Sequence, residues 1–146
     1  MDIQKLIRQA FLAREYSYSP YSHFMVGAAL HCRNGNIYQG CNIENAAYSP
    51  GNCAERTAVF KAVSQGDRDF DCIVIVGGLE GTEIKTEDGN IIMQDYCPPC
   101  GMCRQVMMEF CDPETFKIIL AKSMDDYREY TLDQLLPLGF GASQIQ

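Results

Sequence analysis

Three cysteines at two places in the chain constrain its fold more than any other feature. Cys53 opens Cys53-Ala54-Glu55-Arg56, and Cys100 and Cys103 lie in Pro99-Cys100-Gly101-Met102-Cys103-Arg104. Each segment opens a predicted helix. Residues three apart on a helix share a face, so Cys100 and Cys103 can grip one ion together. Cys53 joins them only if the two helix N-termini abut. A chain that does this must bring distant helices to one corner.

The chemistry of that corner follows from its residue types. Helix N-termini favour negative charge and lower thiol pKa values, which promotes the thiolates that bind zinc. Three protein ligands with one open position is the catalytic zinc pattern, and four closed ligands is the structural one. Three thiolates weaken a dication as a Lewis acid, so something must drain the excess charge. The helix dipoles do so, and Arg56 is placed to donate hydrogen bonds to ligand sulfurs. Glu55 lies near the metal position without being a ligand, where a carboxylate can take a proton from activated water and pass it to a substrate. Glutamate is common in a first helical turn for dipole reasons alone. The cysteines around Glu55 are what give it a catalytic meaning.

Cys97-Pro98-Pro99-Cys100 is itself a C-x-x-C at a helix start, and it leaves two other readings open. One is a thioredoxin-like redox pair, which gives Cys103 and Cys53-Ala-Glu no task. The other is a closed four-thiolate structural zinc using Cys53, Cys97, Cys100 and Cys103, which gives Glu55 no task. The remaining cysteines, Cys32, Cys41, Cys72 and Cys111, read as small buried thiols. His23 and His31 have no partner at metal-ligand spacing.

With 146 residues, the chain has the size of one domain and is too long to depend on disulfide staples. Its first residues, Met-Asp-Ile-Gln-Lys-Leu-Ile-Arg, carry charges through the apolar pattern and do not read as a secretory signal. A reducing cytoplasm is the expectation. No apolar stretch approaches the ~18 residues of a membrane span. Twelve Lys and Arg against 19 Asp and Glu give a net charge of −7, which gives a nucleic-acid partner no electrostatic help.

Periodicity predicts a helix over 2–15 capped by Asp2, a strand over 24–32, a turn at Asn34-Gly35 and a strand over 36–41. A loop over 42–52 leads to a helix over 53–65 that stops at Gly66. A continuous apolar run over 71–78 reads as a buried strand. Beyond it come a helix over 100–111, a strand over 116–121, a short edge strand over 127–130 and a capping box at Thr131. This order argues for an α/β fold: one mixed sheet, an N-terminal antiparallel hairpin followed by parallel strands, with helices on both faces. The acidic stretch 79–96 reads as a solvated excursion, with Asp88-Gly89-Asn90 able to close a small hairpin.

These motifs, Cys-Ala-Glu-Arg followed by Pro-Cys-Gly-x-Cys-Arg, resemble those of the small homotetrameric cytidine deaminases that act on free nucleosides. The resemblance runs from about Tyr16 to Gly141. It takes in Tyr18-Ser-Pro-Tyr-Ser-His-Phe24, Val26-Gly-Ala-Ala29, Gly40-Cys-Asn-Ile-Glu-Asn45 and Leu135-Leu-Pro-x-x-Phe140-Gly141. It implies a three-layer fold, one Zn2+ per chain on Cys53, Cys100 and Cys103, and Glu55 as proton shuttle. It further implies that Asn42 and Glu44 hydrogen-bond the ribose, that Phe24 packs near the base and that the Ala54 N–H meets the pyrimidine carbonyl. Phe140 and Tyr48 would act across subunit boundaries of a homotetramer. The implied reaction is conversion of cytidine and 2'-deoxycytidine to uridine and 2'-deoxyuridine with loss of ammonia. The antibiotic deaminases resemble the chain at the zinc motifs too, but Asn42-Ile-Glu-Asn45 looks like a nucleoside reader. The length of 79–96 and the presence of Cys97 depart from the family pattern.

Overall fold

The computed structural model covers residues 1–146. Helix α1 (Ile3–Arg14) starts where the Asp2 carboxylate accepts the Lys5 N–H at 3.1 Å, which satisfies one of the orphan donors of a first turn. Strands β1 (Phe24–Cys32) and β2 (Ile37–Cys41) pair antiparallel around a turn in which Gly35 takes φ 95°. The chain then crosses to α2 (Ala54–Ser64) and returns as β3 (Phe70–Leu79). A small hairpin of β4 (Ile84–Lys85) and β5 (Ile91–Ile92) precedes α3 (Gly101–Phe110). Strands β6 (Lys117–Ala121) and β7 (Tyr127–Thr131), the one-turn α4 (Leu132–Leu135) and a 3-10 turn (Ala142–Gln144) complete the chain. None of these helices is long and apolar enough to cross a membrane.

The main sheet has the order β2-β1-β3-β6-β7. Only β3 and β6 pair in parallel; the other three pairs are antiparallel. The expectation of parallel strands after the hairpin is therefore met at one pair. Two connections explain the rest. The α2 crossover carries β3 past β2 to the far edge of β1, and the turn between β6 and β7 is too short for the dozen or more residues a parallel return needs.

Alternation along the strands splits the core in two. Val26, Ala28, Leu30, Ile73, Ile75, Ile118 and Leu120 face α2 and α3. Ala29, Cys72, Val74, Val76, Ile119 and Ala121 face α1, against Leu6, Ile7, Ala10 and Phe11. The central strands read as continuous apolar runs because helices cover both of their faces. Each fully buried Ile or Leu contributes on the order of 1.5–3 kcal/mol relative to exposure. Two glycines let the helices sit unusually close. A Cβ on Gly27 would lie 2.0 Å from the Ala10 carbonyl oxygen in α1, and one on Gly40 would lie 2.3 Å from the Ala54 carbonyl oxygen in α2.

The 79–96 stretch is only partly a solvated excursion. Its tip is a hairpin turning at Gly89 with φ 85°. Its base is built into the core: Met93 is 2% exposed within the α1-side cluster and donates its N–H to the Lys122 carbonyl at 2.7 Å. Glu83 approaches the buried Arg14 guanidinium at 3.5 Å. Arg14 also donates to the carbonyls of Met25 and Gly78, at 2.9 and 3.0 Å.

Candidate active site

Cys53 and Cys100 are the N-caps of α2 and α3, and Cys103 lies in the first turn of α3. Neither cap residue bonds its own helix through its side chain, so both sulfurs are free to meet. The Gly40 contact seats the start of α2 directly on β2, and α2 also touches α3. The three Sγ atoms lie within 4.8 Å of one another. Cys53 to Cys100 is 3.7 Å and Cys100 to Cys103 is 3.4 Å. Sulfurs placed tetrahedrally at the usual zinc–sulfur distance of about 2.3 Å would stand about 3.8 Å apart. The donor set and its spacing therefore fit one zinc ion per chain.

Electrostatics favour ligation. Hydrogen bonds to the Cys53 sulfur, from the Cys103 thiol and then from Arg56, pull the Cys53 thiol down to about 5 despite its burial. Arg56 Nη2 donates to that sulfur at 3.3 Å. The Cys103 thiol, fully buried and sharing its proton with Cys53, is pushed up. Glu55, at the second position of α2, is 4% exposed. Burial raises its carboxyl to about 7, against the opposing pull of its own backbone N–H. A carboxyl near neutrality can both accept and return a proton at working pH.

Cys97 stands outside this trio. Its sulfur packs on β3, where a Cβ on Gly77 would approach it to 2.7 Å, and burial pushes its thiol up to about 12. A closed four-thiolate centre is thus not what the fold assembles. A protonated, buried thiol is also the opposite of the low-pKa nucleophile that a redox C-x-x-C requires.

The trio opens into a cavity of about 630 Å³. Phe24, Asn42, Glu44, Tyr48, Cys53, Ala54, Glu55, Arg56 and Cys100 all line it. Its volume suits a small organic molecule.

Comparison with known proteins resolves what such a site belongs to. Residues 1–119 match the family described as "Cytidine and deoxycytidylate deaminase zinc-binding region". The chain belongs to this family. It is 46% identical over 145 residues to a cytidine deaminase of Sporosarcina psychrophila, covering 99% of this chain and 96% of that one. A cytidine deaminase of Halalkalibacterium halodurans is 45% identical over 145 residues, covering 99% of this chain and 98% of the other. A crystal structure of cytidine deaminase from Burkholderia pseudomallei superposes with a TM-score of 0.80 at 42% identity, covering 96% of this chain and all of that chain.

Within this deaminase fold, the residues singled out from the sequence fall into three groups. Cys53, Glu55 and Cys100 line the cavity together, and Cys103 is buried beside them. Asn42 and Glu44 sit on its rim, on the loop that runs from β2 to α2 and is closed by the antiparallel bridge of Ile43 with Asn52. Phe140 is the exception: it is 58% exposed and does not line the cavity of its own chain. The sequence reading missed Ser17, Tyr21 and Ser22. Ser17 donates through its hydroxyl to the Asn42 side-chain oxygen, while Tyr21 and Ser22 hold Glu44. Only Tyr18-Ser-Pro-Tyr-Ser-His-Phe24, as a motif, pointed to that stretch.

Proposed function

We propose that this zinc-dependent enzyme hydrolyses free cytidine and 2'-deoxycytidine to uridine and 2'-deoxyuridine, releasing ammonia. The observation that carries the reading is the thiol trio opening into a cavity beside a buried glutamate whose carboxyl sits near neutrality. Cys53, Cys100 and Cys103 would hold the zinc ion, which when bound would supply Lewis-acid activation of water. Glu55 takes a proton from the attacking water and passes it to the pyrimidine ring nitrogen as the C4–O bond forms. It then takes the remaining proton of the added hydroxyl and delivers it to the amino group, which leaves as ammonia when the C4–N bond breaks. Water and cytidine enter, ammonia and uridine leave, and no organic cofactor takes part. Arg56 holds the Cys53 sulfur and disperses the charge of the trio. The Ala54 N–H, at the first turn of α2, is offered to the pyrimidine carbonyl. Phe24 packs on the base.

Asn42 and Glu44 read the sugar. The amide of Asn42 is oriented unambiguously: its oxygen accepts the Val26 N–H at 3.0 Å, so its nitrogen faces the Phe24 carbonyl at 2.7 Å and keeps a second hydrogen for a ligand. An anionic Glu44 on the rim, with a net charge of −7, disfavours polynucleotides. We read residues 1–146 as one domain that assembles as a homotetramer, with Phe140 covering the base in a neighbouring subunit and Tyr48 acting across the same boundary. Support comes from their exposure, 58% and 84%. The eight free thiols suit a reducing cytoplasm.

The test is ammonia release against a panel of cytidine, deoxycytidine, cytidine monophosphate and a cytosine-bearing antibiotic nucleoside, with zinc content and light-scattering mass measured on the same sample. Turnover of the two free nucleosides by a zinc-loaded tetramer is the expected result. Turnover confined to the antibiotic overturns the substrate reading.

A further inference from the structure

Glu44 does not hold its own position on the cavity rim. One carboxylate oxygen accepts the backbone N–H groups of Tyr21 and Ser22, at 3.0 and 3.1 Å. The other accepts the Ser22 hydroxyl. That hydroxyl in turn accepts the Phe24 N–H at 3.0 Å. An N–H can only donate, so the hydroxyl proton of Ser22 is left for Glu44, and the direction of the relay is determined.

The turn that makes this possible is strained. His23 has φ 58°, a left-handed conformation that residues with a Cβ seldom adopt. It is clamped there by its N–H to the Ser19 carbonyl at 3.0 Å and by its own carbonyl accepting the Glu80 N–H at 2.7 Å. Tyr21 and Ser22 therefore aim two N–H groups and one O–H at a single carboxylate 22 residues or more away. A carboxylate offers about four acceptor positions. Three are taken, and one is left for a ligand.

We propose that Ser22 is a positioning residue for sugar recognition: its hydroxyl, oriented by the Phe24 N–H, holds the Glu44 carboxylate so that its remaining acceptor position meets a hydroxyl of the nucleoside. This rests on the reading of Glu44 as a sugar contact. The Ser22 hydrogen bond also holds the Glu44 carboxyl below its ordinary value, which keeps it an acceptor. Ser22 additionally couples the two ends of the ligand. The hydroxyl that orients Glu44 is bonded to the backbone of Phe24, the residue assigned to the base, so sugar and base contacts share one turn.

The experiment is a double-mutant cycle on the full-length zinc-loaded enzyme, using Ser22→Ala, Glu44→Ala and the pair, with cytidine as substrate. Ser22→Ala is expected to raise KM about tenfold while kcat stays within about twofold, the pattern of lost binding that is equal in ground and transition states. Ser22→Thr, which keeps the hydroxyl, is expected to restore KM. In the Glu44→Ala background, Ser22→Ala is expected to change KM by less than about twofold, because its effect runs through Glu44. Ser22→Gly repeats the hydroxyl deletion if the alanine variant folds poorly. An unchanged KM in Ser22→Ala, with a raised KM in Glu44→Ala, overturns the positioning role and leaves the sugar reading standing. An unchanged KM in both single variants overturns the sugar reading itself, and the proposal with it. An equal KM increase from Ser22→Ala in both backgrounds shows that Ser22 acts elsewhere and also overturns the proposal.

Discussion

The two ends of the cavity are built by opposite means. The thiol corner is made from the first turns of two helices packed into the core, with Cys103 fully buried and Glu55 nearly so. The rim around Glu44 is made from loops and the start of β1, in which the exposed Tyr21, Ser22 and Phe24 and the half-buried Glu44 are linked by hydrogen bonds. The carboxyl that needs tuning is placed where burial desolvates it. The sugar recognition proposed for Glu44 is placed where side chains are exposed or half-buried and held by directional bonds. Substitutions at the two ends should therefore fail differently, the first in metal content and turnover, the second in KM.

Cys103→Ala tests the corner most severely. It removes a buried ligand, and the expected outcome is loss of zinc and of deamination together, with a clear fall in Tm, read by metal analysis and calorimetry. A variant that keeps full zinc occupancy would break the three-thiolate assignment. Glu55→Gln comes next. It keeps the shape of the side chain and removes its proton chemistry, so zinc should stay bound while kcat falls by on the order of 10² to 10⁴. Full activity in that variant would remove the proton shuttle from the mechanism.

Gly40→Ala tests the packing that seats α2. The added methyl group meets the Ala54 carbonyl, which is backbone and cannot swing away. A loss on the order of 1–3 kcal/mol of stability is expected, seen in urea denaturation, together with weaker zinc binding because Cys53 and Glu55 ride on the same turn. Stability loss without any change in zinc affinity would separate packing from the metal corner.

The smallest effect belongs to the rim. Glu44 is held below its ordinary value of 4.5. A carboxyl depressed by folding contributes stability above its unfolded pKa, and that contribution is lost as pH falls through the folded value. Glu44→Gln should accordingly lower Tm slightly at pH 7, and its difference from the wild type should shrink as pH drops below about 4.5. A difference that grows in acid would contradict the hydrogen-bonded carboxylate.

Several elements were readable from residue order because their causes are local. Asp2 and Thr131 cap helices, Asn34-Gly35 and Asp88-Gly89 turn hairpins, and Gly66 ends α2 as expected, with φ 94°. The spacing of Cys100 and Cys103 is likewise a property of one helix. The partial burial of 79–96 was not readable. Its anchors, Met93 on Gly78 and Glu83 on Arg14, involve partners in other elements, and a run of acidic residues gives no hint of them. Spacing alone does not exclude Cys97 from the trio, since it lies as far from Cys100 as Cys103 does; the task a three-thiolate site leaves to Glu55, and the family resemblance, do.

The amino-acid order by itself determined which residues could bind a metal and move a proton, because thiolate donors, a carboxyl and helix starts are chemical and local properties. Only the tertiary structure decided which sulfurs meet, how deeply Glu55 is buried and what holds Glu44. Those depend on a helix crossover, a glycine that lets α2 sit on β2 and a strained turn at His23, contacts between residues far apart in the chain whose geometry no local pattern encodes.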